Sequence, residues 1–378
     1  MKKFKKNIFL ICIIALTTIL INSCKKSDDD NNIQPAESEI IKANIIASLD
    51  SVIQNTHVPG LVAGIWAPNE GVDLVYTAGV SNIEKNTPMD ADMIFRIASN
   101  TKTMTISVLL QLVDEGLISI DDPLSDYLPD FPRADEVTIE MLTNMRSGIF
   151  SFTESEVFGT IVETNPTKTW TADELINIAA GQPYYFDPGT GFHYSNSNTA
   201  IIGEIIEMQT GFSLEYNIRT RIFNPLKLVN TVYMVGGTQI PGYHSCAYYG
   251  GEYDPSLPDL SEYFDNSYAG AAGGAISDIF ELKTYAEALA GGQFISPELQ
   301  QKRLDCHETG SSKGLKYGMG IFAYKGFYGH NGGMFGYTSL MVYSPEKNCT
   351  IIIWYNSQLP ETPTDLLFVI PHLIYNDL

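Results

Sequence analysis

Basic residues are scarce in this chain. Its 378 residues hold 23 Lys and Arg against 44 Asp and Glu, a formal charge of −21. Such an acidic body repels phosphate backbones and anionic membrane surfaces, which excludes nucleic acid as a partner and excludes electrostatic membrane docking. Cysteine is sparse as well, with five in all. Cys12 and Cys24 belong to the N-terminal region, and Cys246, Cys306 and Cys349 stand far apart at no zinc-ligand spacing, so they allow at most one disulfide. No metal site follows from them, and no cofactor is implied. The sequence has no His-Glu-x-x-His helix, no phosphate-cradling glycine loop and no internal repeat.

What is present begins with Ile8 to Ile21, an apolar run too short to span a bilayer comfortably, preceded by Lys2, Lys3, Lys5 and Lys6. It ends at Ile21-Asn22-Ser23-Cys24, which resembles a bacterial lipoprotein cleavage box. Residues 1–23 are thus expected to be a signal peptide, with Cys24 as the lipid-bearing residue and 24–37 as a disordered tether, since Ser27-Asp28-Asp29-Asp30-Asn31-Asn32 has nothing to bury. The implied place is the bacterial cell envelope, anchored by lipid and facing the periplasm or the cell surface. Residues 38–378 are long enough for one large domain with two lobes.

Apolar spacing predicts a helix from Glu37 to Gln54, strands at Leu61 to Trp66 and Val72 to Tyr76, and an amphipathic helix from Ser99 to Glu115 ended by Gly116. The middle, roughly 122–304, is rich in helices and loops, clearest at Thr171 to Ala180, Asn198 to Thr210 and Asp278 to Leu289. Tyr317 to Phe327, Tyr337 to Ser344 and Cys349 to Tyr355 read as consecutive antiparallel strands, and a final helix as Thr364 to Tyr375. The expected class is α+β. One antiparallel sheet is built from both chain ends and covered on one face by the terminal helices, with an inserted, mostly helical lobe and a cleft between lobe and sheet.

A nucleophile needs a base within reach, and Ser99-Asn100-Thr101-Lys102 supplies both if it opens a helix, because residues three apart share a face. Two other Ser-x-x-Lys copies exist, Ser23 to Lys26 and Ser344 to Lys347, but only Ser99 stands at a strand-to-helix junction. Taken alone, Ser99 could equally be a helix cap and Lys102 a solvated residue. Tyr194-Ser195-Asn196 follows the turn-rich Asp187-Pro188-Gly189-Thr190-Gly191, and in an extended segment Tyr194 and Asn196 point the same way. His330-Asn331-Gly332-Gly333 opens a predicted strand, where glycines admit a substrate backbone, and Lys316-Tyr317-Gly318 rivals it for that place. Gly310-Ser311-Ser312-Lys313-Gly314 has the spacing of an α/β-hydrolase elbow without the strand and helix such an elbow needs.

These three elements, in this order, resemble the serine β-lactamase and penicillin-binding-protein family, in the branch of class C β-lactamases and D-alanyl-D-alanine carboxypeptidases. The likeness extends from about Val58 to Ser344 and takes in Phe95-Arg96-Ile97-Ala98, Asn144-Met145-Arg146-Ser147-Gly148 and Ala271-Ala272-Gly273-Gly274. It implies that Ser99 is acylated, that Lys102 and Tyr194 share the general-base work, and that the amides of Ser99 and Gly333 form the oxyanion hole beside Gly332. Asn196 would orient the substrate amide, and a partly charged His330 would face the leaving-group side. A histidine where β-lactamases carry lysine argues against an efficient β-lactamase. The implied substrate is a small molecule or peptide, with the peptidoglycan stem peptide among the candidates. The implied activity is that of a D,D-carboxypeptidase, other peptidase or esterase. β-Lactam hydrolysis, or a non-hydrolytic binding or sensor role, is the alternative.

Overall fold

Gly60–Ala67 (β1) and Cys349–Tyr355, from opposite ends of the chain, lie side by side in the computed structural model, paired antiparallel from Leu61↔Tyr355 to Trp66↔Thr350. Residues 36–56, 58–249, 258–358 and 364–375 are described. The expected signal peptide, Cys24 and all but the last two residues of the expected tether lie outside them. Helix α1 spans Glu37–Thr56, as its apolar spacing predicts.

The other strands of the same sheet, in chain order, are Val72–Asn82 (β2), Thr87–Pro88 (β3), His307–Glu308 (β4), Lys316–Tyr317 (β5), Phe322–Tyr324 (β6), Phe327–Met334 (β7), Tyr337–Ser344 (β8) and Cys349–Tyr355 (β9). They run across the sheet as β3-β2-β1-β9-β8-β7-β6-β5-β4. The α+β arrangement with a sheet assembled from both ends is therefore the one the molecule has. The central strands are apolar at nearly every position because both faces are covered. Alternate residues feed two cores: Leu61, Ala63, Ile65, Ile351 and Ile353 meet Ile45 and Leu49 of α1 and Leu367 and Ile370 near the C-terminus, while Val62, Ile352 and Trp354 face the helical side.

The helices that matter for the site are α2 (Thr101–Asp114), α3 (Ala172–Ala180), α4 (Asn196–Thr210) and α5 (Ile279–Ala290). The α3 start is a capping box, with the Thr171 hydroxyl accepting from Glu174 N and the Glu174 side chain accepting from Thr171 N. α2 departs from expectation. It is not amphipathic: Thr101 through Leu110 and Leu112 are all buried, Lys102 included, because the helix runs between the sheet and the lobe.

Two more expectations need correction. Tyr317 to Phe327 is not one strand but two short ones, β5 and β6, separated by a turn in which Gly318 N donates to Ile321 O (2.7 Å) and Gly320 takes φ +68°. A Cβ on Gly320 would sit 2.5 Å from Ile106 of α2, so the close approach and the positive φ both require glycine there. His330 consequently lies in the middle of β7 rather than at a strand start. The final helix is likewise broken, into Thr364–Leu367 and Ile370–Tyr375.

Candidate active site

Ser99 stands in the 3-10 turn Ala98–Asn100 that leads into α2, two residues before the first residue of the α-helix proper. Ala98 takes φ +49°, a left-handed conformation uncommon for a residue with a side chain. The turn is tied down from both sides. Asn100 Nδ2 donates to Ile97 O (2.9 Å) and to Ser339 Oγ (2.8 Å), and Ser339 Oγ donates to Ile97 O (3.0 Å). Gly332 of β7 packs directly against it, since a Cβ there would lie 2.3 Å from Ile97 O and 3.0 Å from the Ala98 Cβ.

Lys102, one turn on, is wholly buried, which rules out the solvated-residue reading. Its Nζ lies 3.0 Å from Ser99 Oγ and donates to Asn196 Oδ1 (2.7 Å) and to Ala272 O (2.8 Å). Burial holds its pKa well below the usual lysine value, so the amine tends to be neutral. A neutral amine has two N–H bonds and one lone pair. Two neighbours, Asn196 Oδ1 and Ala272 O, can only accept, which leaves the lone pair for the Ser99 hydroxyl.

Tyr194 and Asn196 do face the cleft together. The Tyr194 ring lies 4.9 Å from Lys102 Nζ, and its hydroxyl is buried without a hydrogen-bond partner. Burial raises its pKa, and the nearby Ser99 hydroxyl opposes this only in part. A tyrosinate, which Tyr194 would need to be for its share of the general-base work, is therefore disfavoured at rest, because the same dry surroundings penalise charge on both groups. Asn196 Nδ2 donates to Thr153 Oγ1 (2.9 Å), so its amide is held between Thr153 and Lys102.

His330 is not where the sequence reading expects it to act. It is buried, does not line the cleft, and packs behind Tyr194 with ring centroids 5.8 Å apart. Its Nδ1 bonds Asn331 O (2.5 Å) and its Nε2 lies 3.0 Å from Tyr317 Oη. A carbonyl only accepts, so Nδ1 carries the proton and Nε2 accepts from the tyrosine. Burial pushes its pKa down to about 3, which makes it a neutral strut rather than a partly charged carboxylate holder. Lys316-Tyr317-Gly318, the rival, contributes this Tyr317 from β5, two strands away across the sheet.

The cleft itself measures about 520 Å³. Ser99, Tyr194, Asn196, Asn331 and Gly333 form its polar side, with Thr153 and Gln358, and Phe158, Tyr268, Met334 and Phe335 form an apolar wall. Phe335 is stacked on Phe264 at 4.1 Å, which steadies that wall. The outer edge of β7 is free beside the nucleophile, for β6 pairs only with Phe327 to Gly329. Gly333 lines the cleft as Ser99 does, whereas Gly332 serves the nucleophile turn. Among the described residues lining the cleft none is Lys, Arg, His, Asp or Glu, and none of the described residues forms a three-ligand metal cluster.

Sequence reasoning missed Ala272, Thr153, Gln358 and Phe335. A backbone carbonyl such as that of Ala272 leaves no trace in residue identity, though the Ala271-Ala272-Gly273-Gly274 segment had been singled out. Thr153 sits in the 3-10 turn Phe152–Glu154, and no motif in the sequence marks it.

The Beta-lactamase family model matches residues 43–370. Among named proteins, the chain is 27% identical over 311 residues to penicillin-binding protein 4* of Bacillus subtilis, covering 76% of this chain and 67% of that one. It is 27% identical over 283 residues to a protein of the same organism provisionally named penicillin-binding protein PbpX, covering 72% of this chain and 64% of the relative's length. Among solved structures, a D-stereospecific amidohydrolase from Streptomyces superposes with a TM-score of 0.77 at 29% identity, over 84% of this chain and 94% of that one. The D-amino acid amidase of Ochrobactrum anthropi SV3, complexed with D-phenylalanine, gives 0.75 at 25% identity over 91% and 99%. The chain belongs to the Beta-lactamase family, with the serine-hydrolase fold shared by β-lactamases, penicillin-binding proteins and D-amino acid amidases.

Proposed function

We propose that this protein hydrolyses amides or esters through an acyl-enzyme on Ser99, and that its substrates have an apolar acyl side chain and a leaving group free of carboxylate. The neutrality of the cleft carries this reading. A C-terminal D-alanine or a β-lactam brings a carboxylate to the leaving-group side, and no cation among the described lining residues would meet it. His330, at a pKa of about 3, supplies no charge either. The aromatic wall suits an apolar side chain, and Gln358 Oε1, buried with no donor of its own, suits a substrate N–H. Likeness to a D-stereospecific amidohydrolase and a D-amino acid amidase favours D-amino-acid amides as the class. The D,D-carboxypeptidase reading keeps the penicillin-binding relatives in its favour.

In the proposed cycle Ser99 Oγ bonds to the carbonyl carbon while its proton passes to the lone pair of Lys102 Nζ, and the oxyanion meets the amides of Ser99 and Gly333. The C–N or C–O bond then breaks. Tyr194, neutral and beside both groups, passes a proton to the leaving group and takes one back from Lys102. Water attacks the acyl ester with Lys102 as base, releasing the acid and restoring Ser99. We infer further that Cys24 carries lipid and fixes the enzyme to the cell envelope; metabolic labelling with a fatty acid, lost in Cys24→Ser, tests this.

The test of substrate class compares kcat/KM for D-phenylalanine amide, L-phenylalanine amide and an N-acylated D-Ala-D-Ala peptide. The D-amide is expected to exceed the peptide at least tenfold. A preference for the peptide overturns the neutral-leaving-group reading and restores the carboxypeptidase.

A further inference from the structure

Behind Phe152 lies a second cavity of about 240 Å³ that the proposed hydrolysis does not use. It shares only Phe152 and Ala269 with the active cleft. Three aromatic rings, Phe152, Trp170 and Tyr233, line it together with two carboxylates, Glu204 and Glu207, which stand three residues apart on α4 and so share one helix face. None of its described lining residues is Lys, Arg or His.

The polar groups here are left incomplete. Glu207 Oε1 accepts from Leu214 N (2.6 Å), but the Glu204 side chain has neither a hydrogen bond nor a salt bridge among the described residues. Its carboxyl is pushed above the usual range by burial, then by Asp173 and Glu207, as expected of an acid without a counter-charge. Tyr233 is a separate observation, on a different strand segment. Its side chain is only 8% exposed and lines the cavity, and its hydroxyl has no hydrogen-bond partner among the described residues. The phenol oxygen is left open on the cavity, so a donor that enters meets it as well as the carboxylates. Lys168 does not fill the role. It lies over the Trp170 ring at 4.6 Å, is bound to Glu174 (2.8 Å), and is not among the lining residues.

We propose that this cavity binds an organic ammonium group, a primary or quaternary amine on an apolar stem, between the aromatic rings and the Glu204–Glu207 pair. Ring faces and carboxylates together recognise such a cation, and the apolar stem replaces water against Leu175, Ala200 and Val235. A hydrated metal ion is poorly served, because most of the wall offers no oxygen. α4 also carries Asn196 at its first position, about 12 Å along the helix from Glu204 at 1.5 Å per residue, so an occupant braces the helix that holds Lys102.

The test titrates n-butylammonium and tetramethylammonium chlorides into the full chain against matched KCl, reading heat and tryptophan fluorescence. Saturable binding is expected for at least one ammonium ion and not for KCl. Glu204→Gln with Glu207→Gln should weaken it at least tenfold, and Glu204→Gln alone, where no native contact is lost, should weaken it several-fold with an unchanged melting temperature. Binding should persist in Ser99→Ala and after Ser99 is blocked by a phosphonate. No saturation beyond KCl, indifference to Glu204→Gln, or loss of binding on blocking Ser99 each overturns the proposal, the last by placing the probe in the active cleft.

Discussion

Lys102 has more neighbours than a neutral amine has hydrogens, and its chemistry follows from that mismatch. With Asn196 Oδ1 and Ala272 O both accepting, the remaining direction points at Ser99. Lys102→Met should therefore abolish acylation, with a loss of about 10³-fold or more in the rate of phosphonate labelling, while the fold is kept. The pH dependence has a definite sign. Acylation needs the free amine, and burial has lowered its pKa, so the rate should rise through an acid limb and be level well before the ordinary lysine value of about 10.4. A rate that climbs only above pH 10 would contradict this. His330 makes a separate, structural prediction. The unfolded chain binds a proton at this histidine below about pH 6.5, while the folded chain refuses it until about 3, so this contribution to stability is lost as pH falls through that window. His330→Gln should flatten the slope of melting temperature against pH between 6.5 and 4, and should leave kcat/KM within a few-fold of wild type near neutrality.

At the scale of elements, the nucleophile turn and β7 are one device. Gly332→Ala places a methyl 2.3 Å from Ile97 O, where neither backbone can retreat while Asn100 and Ser339 hold the turn. The expected outcome is a cost of about 1–3 kcal/mol in urea unfolding and a loss of acylation greater than a hundredfold, whereas Gly333→Ala, with its nearest new neighbour at 3.9 Å, should cost far less stability. Equal effects of the two changes would contradict the division of labour between these glycines. Much of this level could be read from sequence. α1 follows apolar periodicity because it buries one face, β1, β8 and β9 stand out as apolar runs because both their faces are covered, and the Ser99 motif announced itself by its place between strand and helix. The failures share a cause. α2 looked amphipathic because its threonines and Lys102 are polar, yet all are consumed by partners distant in sequence, as when Thr105 Oγ1 donates to Ala271 O (2.8 Å). Tyr317 to Phe327 looked continuous because nothing local reveals that Gly320 turns to donate to Thr143 O and lies close against Ile106, both distant in sequence.

For the whole molecule, charge and cleft agree. A chain of net −21 surrounding a neutral cleft should select against anionic substrates at long range as well as at contact. Raising salt from about 50 to 500 mM shortens the screening length to a few ångströms, and should increase kcat/KM for a carboxylate-bearing peptide while leaving a neutral amide nearly unchanged. Specificity of this kind was not legible beforehand: His330 promised some positive charge, and only its burial against Tyr317 and Phe322 removed it. The measurement that bears most directly on the enzyme is intact-protein mass after incubation with a serine-directed phosphonate and a panel of β-lactams, for wild type and Ser99→Ala. One phosphonate adduct on wild type and none on the mutant is the predicted result, with β-lactams forming adducts slowly or not at all. A folded wild-type protein that gains no mass from any probe, or a Ser99→Ala protein that still does, would contradict a Ser99 acyl-enzyme.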